Sequence, residues 1–316
     1  MTRVLEVPAT LDSEAFDALV AGARSAAGDR LLVDARHVRF ADPYGMIGLL
    51  AVGEHFGREG EALPILQLPD SPEVIAYLTR MGFLSAAEKV FELHNLPRGK
   101  PQPGPPVLLP ITVVDTHDAV HEVIDAIGKD NIRTLITQQL GYSGAEAAKF
   151  SIMMSEVAQN IMEHADAPGW VAVQTYDWSR RRIGRKVAVI AVMDLGVGFR
   201  RTLERDHAVS FGDRWGDATA LEQAFIHHRS RFRDPGRGQG LQRIRKAVGL
   251  WGGKVAIRSG TARIADVPDW EDGEPMETGL ADFPGAQILI VLPAKVPAAS
   301  TEGAARAKPA LRARPG

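Results

Sequence analysis

Residues 143–165, SGAEAAKFSIMMSEVAQNIMEHA, are the stretch on which the fold turns. Ser143 and Glu146 stand at capping-box spacing, and Asp166, Pro168 and Gly169 follow the last periodic residue, so the pattern predicts one long helix. Within it Glu156, Asn160 and His164 recur every four residues and share a face. Ile152, Val157 and Ile161 are placed to pack the other. A polar stripe of this kind is ordinarily a solvated face, and what lies downstream changes that reading.

C-terminal to the helix come WVAVQTYDW (170–178), KVAVIAVMDL (186–195), KVAIRS (254–259) and AQILIVLP (286–293), short apolar runs separated by glycine, charge and helical stretches. They predict a sheet with helices on one face. The second run delivers Asp194 at its end, followed by Gly196 and Gly198, where the backbone must turn sharply or admit a ligand. Further on, DPGRGQGLQRIRKAV (234–248) sets Gly236, Gly238 and Gly240 just before a helix, whose exposed amides and positive end suit phosphates. This is neither a Walker motif, since no Gly-Lys-Ser/Thr closes it, nor a dinucleotide fingerprint, since the glycine spacing differs.

In order, SEVAQNIMEHA, MDLGVGF and GRGQGL resemble the three ATP-binding boxes of the GHKL superfamily, which includes gyrase, the heat-shock ninety chaperones, histidine kinases and mismatch-repair ATPases. The first box is most similar to that of the anti-sigma-factor serine kinases, and the resemblance covers roughly residues 107–293. It implies an α/β sandwich of the Bergerat type, a mixed sheet with helices on one face, with ATP and Mg²⁺ as cofactors. It assigns Asn160 to the magnesium ion, which an amide oxygen suits as a hard ligand, and Glu156 to the role of general base. Asp194 would accept a hydrogen bond from the adenine amino group, where guanine would present a repelled carbonyl. Gly196 and Gly198 would admit the base, and Gly238 and Gly240 would bring amides to the phosphates. His164, Gly236 and Leu241, the other residues of the matched boxes, complete the nucleotide-binding set. The lid of this family corresponds to residues between Phe199 and Gly236, with Arg229, Arg231 and Arg233 near its end. Where the family's last strand usually opens with glycine and threonine, this sequence has Gly285 and Ala286, so one hydroxyl near the base is absent, a loss of about 1 kcal/mol. His164, His227 and His228 do not form a zinc-ligand spacing.

The N-terminal half reads as alternating strands (LLVDARHVRF, 31–40; LPILQLP, 63–69) and helices (12–26; 71–83), with Asp12 or Ser13 and Ser71 as caps. LLVDARHVRFADPYGMIGLLAVGEHF and LPILQLPDSPEVIAYLTRMGF resemble a STAS domain over residues 1–96, the anti-sigma-factor-antagonist fold. Regulatory members carry Asp-Ser-Ser-Gly before their first long helix; here the residues are Asp42, Pro43, Tyr44 and Gly45, so the acceptor serine is missing. Tyr44 carries its oxygen several ångströms farther out, and self-phosphorylation there is not expected. The domain reads instead as a docking or dimerising module, or as one that only stabilises the ATP-binding half. Residues 97–110 are proline-rich and read as a semi-rigid linker, 111–294 as the ATP-binding domain, and 295–316 as a disordered tail.

The 316 residues are enough for two cores, and a net charge of −2 gives no global attraction to nucleic acid or an anionic membrane. With no cysteine, disulfides and thiolate chemistry are excluded, so any metal must sit on oxygen or imidazole. No stretch approaches the ~18 apolar residues of a membrane span and the N-terminus has no leader pattern, so a cytoplasmic location is expected. The resemblance implies a serine/threonine protein kinase or nucleotide-gated partner switch, with a STAS-type antagonist or sigma-like regulator as protein partner, and it allows a homodimer. The alternatives are a GHKL ATPase with nucleotide-driven dimerisation and an ATP-holding scaffold without turnover. The kinase branch is favoured because no transducer segment follows residue 293.

Overall fold

A computed structural model describes residues 2–26, 28–60, 62–96, 104–114, 136–164, 167, 169–229 and 240–296, with no side-chain description at 153 and 156–164. The architecture is mixed α/β with one parallel and one antiparallel main sheet.

The N-terminal half alternates strand and helix. β1 (Thr2–Glu6), β3 (Arg30–Asp34), β5 (Ile65–Gln67) and β6 (Glu92–His94) form a parallel sheet in that order. Between them run α1 (Ser13–Ser25), α2 (Pro43–Glu59), α3 (Pro72–Arg80) and α4 (Phe83–Ala87). The caps follow the sequence: the Asp12 carboxylate accepts from the Glu14 and Ala15 amides, and Ser71 Oγ from the Val74 amide. A short parallel pair, β2 (Thr10–Leu11) with β4 (Phe40–Ala41), brings the starts of α1 and α2 side by side.

In the C-terminal half β7 (Leu109–Val114), β8 (Gly169–Trp178), β9 (Arg185–Asp194), β10 (Lys254–Asp266) and β11 (Met276–Pro293) form a sheet in the order β10-β11-β9-β8-β7. Every pairing is antiparallel, where the sequence reading expected a mixed sheet. α5 (Gly144–His164), α7 (Asp217–Phe225) and α8 (Gly240–Leu250) cover one face of this sheet, and α6 (Gly198–Phe211) precedes α7. The capping box of α5 is formed, Ser143 Oγ accepting from the Glu146 amide at 3.3 Å and Glu146 Oε2 from the Ser143 amide at 2.8 Å. The helix packs through Ala147, Phe150 and Met154, whereas Ile152, expected in the core, is 60% exposed. Lys295, assigned by sequence to a disordered tail, is tied down: its amide donates to the Leu140 carbonyl and its ammonium pairs with Glu146 at 2.6 Å. Residues 297–316 lie outside the described residues.

The second face of the antiparallel sheet is covered too, which one-faced packing did not anticipate. Along β9, Ala188, Ile190 and Val192 meet the helices of the C-terminal half, while Val187, Val189, Ala191 and Met193 join a core built from α1, α2 and the parallel sheet. A strand buried on both sides needs apolar residues at both parities, and this is why KVAVIAVM is continuous rather than alternating. The two halves are therefore in direct contact rather than held apart by the proline-rich stretch. Phe16 of α1 stands edge-on to Phe283 at 5.2 Å and to Tyr44 at 5.7 Å. Tyr77 and Tyr176 share a hydroxyl hydrogen bond of 2.6 Å across the seam. Arg258, only 1% exposed, donates through Nε to Asp17 of α1 at 2.9 Å, and Arg263 pairs with the same carboxylate. Among the described residues no helix is long and apolar enough to cross a membrane.

Candidate functional site

Three elements converge at one end of the antiparallel sheet. β9 ends there at Asp194, which pairs with Gly169 at the start of β8. α5 starts at the opposite end, where the Tyr142 hydroxyl donates to the Pro293 carbonyl at 2.7 Å and Pro293 pairs with Val187. It therefore runs alongside β9 and finishes at His164, five residues before Gly169 and within roughly 17 Å of chain. α8 ends just before Lys254, which is level with Val291 and with Val189 in the middle of β9, and its Ile244 and Val248 lie in the core. Its eleven residues, at about 1.5 Å each, carry Gly240 back toward Asp194. The last turns of a helix bearing Glu156, Asn160 and His164, the end of β9 and the N-terminus of α8 with Gly240 and Leu241 thus share one end of the fold. The side chains of Glu156, Asn160 and His164, and Gly236 and Gly238 entirely, lie outside the described residues.

Asp194 is partly buried, and its Oδ1 accepts from the Gly196 amide at 2.8 Å and the Ala286 amide at 3.3 Å. Among the described residues Oδ2 has no hydrogen-bond partner. Burial pushes the carboxyl up to about 6, the two amides opposing that rise. At neutral pH it is an acceptor with one oxygen to offer.

Two glycines make this corner possible. Gly198 has φ +70°, and a Cβ there would stand 2.7 Å from Ser259 Oγ; Gly285 has φ +77°, and a Cβ would overlap the Asp194 carbonyl. Gly198 and Gly285 are thereby fixed by sterics as well as conformation. Around Gly285 β11 bulges, so that residues 284–286 face Ser259 of β10 alone, between the Arg258–Gln287 and Gly260–Phe283 pairs. Each of the three looped residues is held by one side chain. Gln287 Nε2 donates to the Pro284 carbonyl at 2.8 Å, Ser259 Oγ to the Gly285 carbonyl at 2.7 Å, and the Ala286 amide to Asp194. Ser259 Oγ also accepts from the Phe199 amide at 3.2 Å, joining the loop to the first turn of α6. Ala286, where a threonine hydroxyl was missed, thus contributes its amide.

Sequence reading did not find Ser259, Arg258 or Gln287. Their one signal is a charged, hydroxyl and glycine triplet, Arg258-Ser259-Gly260, interrupting an apolar strand. The segment expected as a lid is described up to residue 229, and there α6 and α7 close over a small core of Leu203, Trp215, Ala220 and Ala224. Arg229, His227 and His228 are exposed at its end, and Arg231 and Arg233 lie outside the described residues. Among the described residues no group of three His, Asp or Glu is placed to hold a metal ion.

Asp42 and Tyr44 occupy a different place. Asp42 caps α2, Oδ1 accepting from the Gly45 amide at 2.8 Å, and both residues are buried at the seam on the sheet face opposite α5 and α8. A cavity of about 350 Å³ adjoins Asp42, Trp178, Arg181, Lys254 and Trp270 there, at the end of the sheet away from Asp194. Its cations are engaged locally: Arg182 with Asp272, Lys254 with Glu271, and Arg181 over the Trp178 ring at 4.2 Å.

No protein-family model matches the chain, and comparison with curated proteins returns no significant match.

Proposed function

We propose that the C-terminal half is a GHKL-type ATP- and magnesium-binding domain and the N-terminal half a STAS-like one, the whole acting as an anti-sigma-factor-type protein kinase or nucleotide-gated regulator. The observation that carries this reading is Asp194. A half-buried carboxylate with one oxygen unpartnered among the described residues closes a strand between the last turns of one helix and the first turn of another. Its free acceptor suits the adenine amino group and repels the carbonyl of guanine. Amides at the start of α8 suit phosphate oxygens. Magnesium would be held by Asn160 and the attacking hydroxyl oriented by Glu156, as the resemblance implies, with triphosphate chemistry supplied by positioning and charge.

The burial of Tyr44, 2% exposed and against Phe16, favours a substrate hydroxyl belonging to another protein over one in the chain's own N-terminal half. The test is Mg-ATP turnover by wild type and Glu156→Gln, with free and protein-bound phosphate counted separately and ATP binding measured on the same samples. The reading expects both proteins to bind ATP, and phosphate to reach a partner protein only with wild type. Absence of ATP binding in wild type would remove it, and release of free phosphate by wild type alone would favour an ATPase.

A further inference from the structure

The three looped residues beside Asp194 lead physically to the other half of the molecule. Arg258 and Ser259 are consecutive on β10 and so point to opposite faces of the sheet. Ser259 meets Gly285 and Phe199 on the side of α6, while Arg258 meets Asp17, Phe16 and Phe283 on the side of the N-terminal half. Arg258 also donates to Gln287 Oε1 at 3.3 Å and to the Ala281 carbonyl, and Gln287 in turn holds Pro284. Arg258, Ser259 and Gln287 are all buried, at 1%, 4% and 0% exposure, so solvent screens these bonds little, least at the Arg258–Gln287 and Ser259–Gly285 contacts.

We propose that Ser259 is a positioning residue for the Asp194 corner and that Asp17, through Arg258 and Gln287, makes the geometry of that corner depend on the docked N-terminal half. This rests on the nucleotide reading above for its consequence, though not for the wiring itself. Without the Asp17 charge the buried guanidinium is left to lean on the oxygens it already shares with Gln287, Ala281 and Gly260, which shape residues 281–287. The N-terminal half therefore acts as a built-in support of adenine recognition from the far side of the sheet, rather than as the substrate of its own kinase domain.

The experiment pairs two readouts on the full chain. The first is amide hydrogen exchange without nucleotide, for Asp17→Asn, Ser259→Ala, Ser259→Thr and, as a control seam bond at the opposite end of the sheet, Tyr77→Phe. Ser259→Ala is expected to speed exchange at Phe199, Asp17→Asn to speed it across 284–287, and Tyr77→Phe to leave both segments unchanged. The second is binding of N-methylanthraniloyl-ATP and its GTP counterpart. Ser259→Ala and Asp17→Asn are expected to weaken ATP about tenfold, as for one or two lost hydrogen bonds, and to narrow the ATP-over-GTP preference, with Ser259→Thr restoring both. Unchanged exchange in Asp17→Asn overturns the wiring whatever the nucleotide result. Changed exchange with wild type binding no ATP upholds the wiring and removes the nucleotide reading. Changed exchange with wild-type ATP affinity and selectivity retained in both variants overturns the positioning role. Were Asp17→Asn not to fold, Ser259→Ala against Ser259→Thr decides the positioning role, and Gln287→Met, expected to speed exchange at 284–287, decides the wiring.

Discussion

Asp42 and Asp194 are the same local solution placed in two surroundings. Each closes a strand, each turns its carboxylate back onto the amide of a following glycine at 2.8 Å, and each is raised by burial, Asp42 to about 7 and Asp194 to about 6. Asp42 is then covered by the second half of the chain, 6% exposed beside the seam cavity. Asp194 is half-buried at the end of β9 and keeps one oxygen without a partner among the described residues. A carboxylate buried at a helix start serves as a cap, and on the proposed reading the same carboxylate with more exposure serves recognition. Access, set by what the rest of the chain lays over the corner, decides between them.

The largest effects test how tightly each corner is built. Gly45→Ala would drive a Cβ into the Leu11 backbone, and Gly285→Ala would drive one into Asp194 from a left-handed backbone. Each should cost at least about 2 kcal/mol in denaturant unfolding. At conditions where both variants remain folded, only Gly285→Ala should alter nucleotide affinity.

Next comes pH. A raised carboxyl means that the folded state keeps a proton the unfolded chain has already released, so stability is highest below the ordinary carboxyl range and falls as pH climbs through the folded value. For Asp42 that decline runs from about pH 4 to about 7. Asp42→Asn keeps an N-cap without the charge and should flatten the decline, gaining on wild type as pH rises in thermal melts. A profile unchanged by Asp42→Asn would contradict the buried-cap reading. At Asp194 the same chemistry should appear in binding: ATP affinity should drop as pH falls through about 6, and the part of that drop due to this carboxyl should vanish in Asp194→Asn. The smallest effect belongs to Tyr44, whose burial predicts that Tyr44→Phe leaves phosphate incorporation unchanged.

Much of this was legible in the sequence where the determinants are local. Ser143 and Glu146 announced the start of α5, Asp12 and Ser71 their helices, and KVAVIAVMDL its strand, because capping and hydrophobic runs act within a few residues. The place of Asp194 at the end of its strand was also legible, since a charge ending an apolar run before two glycines is a local signal. What was not legible depends on chain distance. Arg258 meets Asp17 across 241 residues, and nothing near either reports the other. The second covered face was written into the continuous apolar runs of β9 and β11 but not into what would cover them. The loop at 284–286 needed the strand register, because it exists only where three residues face one.

The most direct test of the account is equilibrium binding of ATP and GTP, with magnesium, to wild type, Asp194→Asn and Asp42→Asn at pH 7.5. The account predicts that wild type and Asp42→Asn bind ATP alike and prefer it to GTP. Asp194→Asn, losing a charged hydrogen bond worth about 1.5–3 kcal/mol, should bind ATP between ten and a hundred times more weakly with the preference gone. ATP held equally well by Asp194→Asn, or by no variant including wild type, would contradict it.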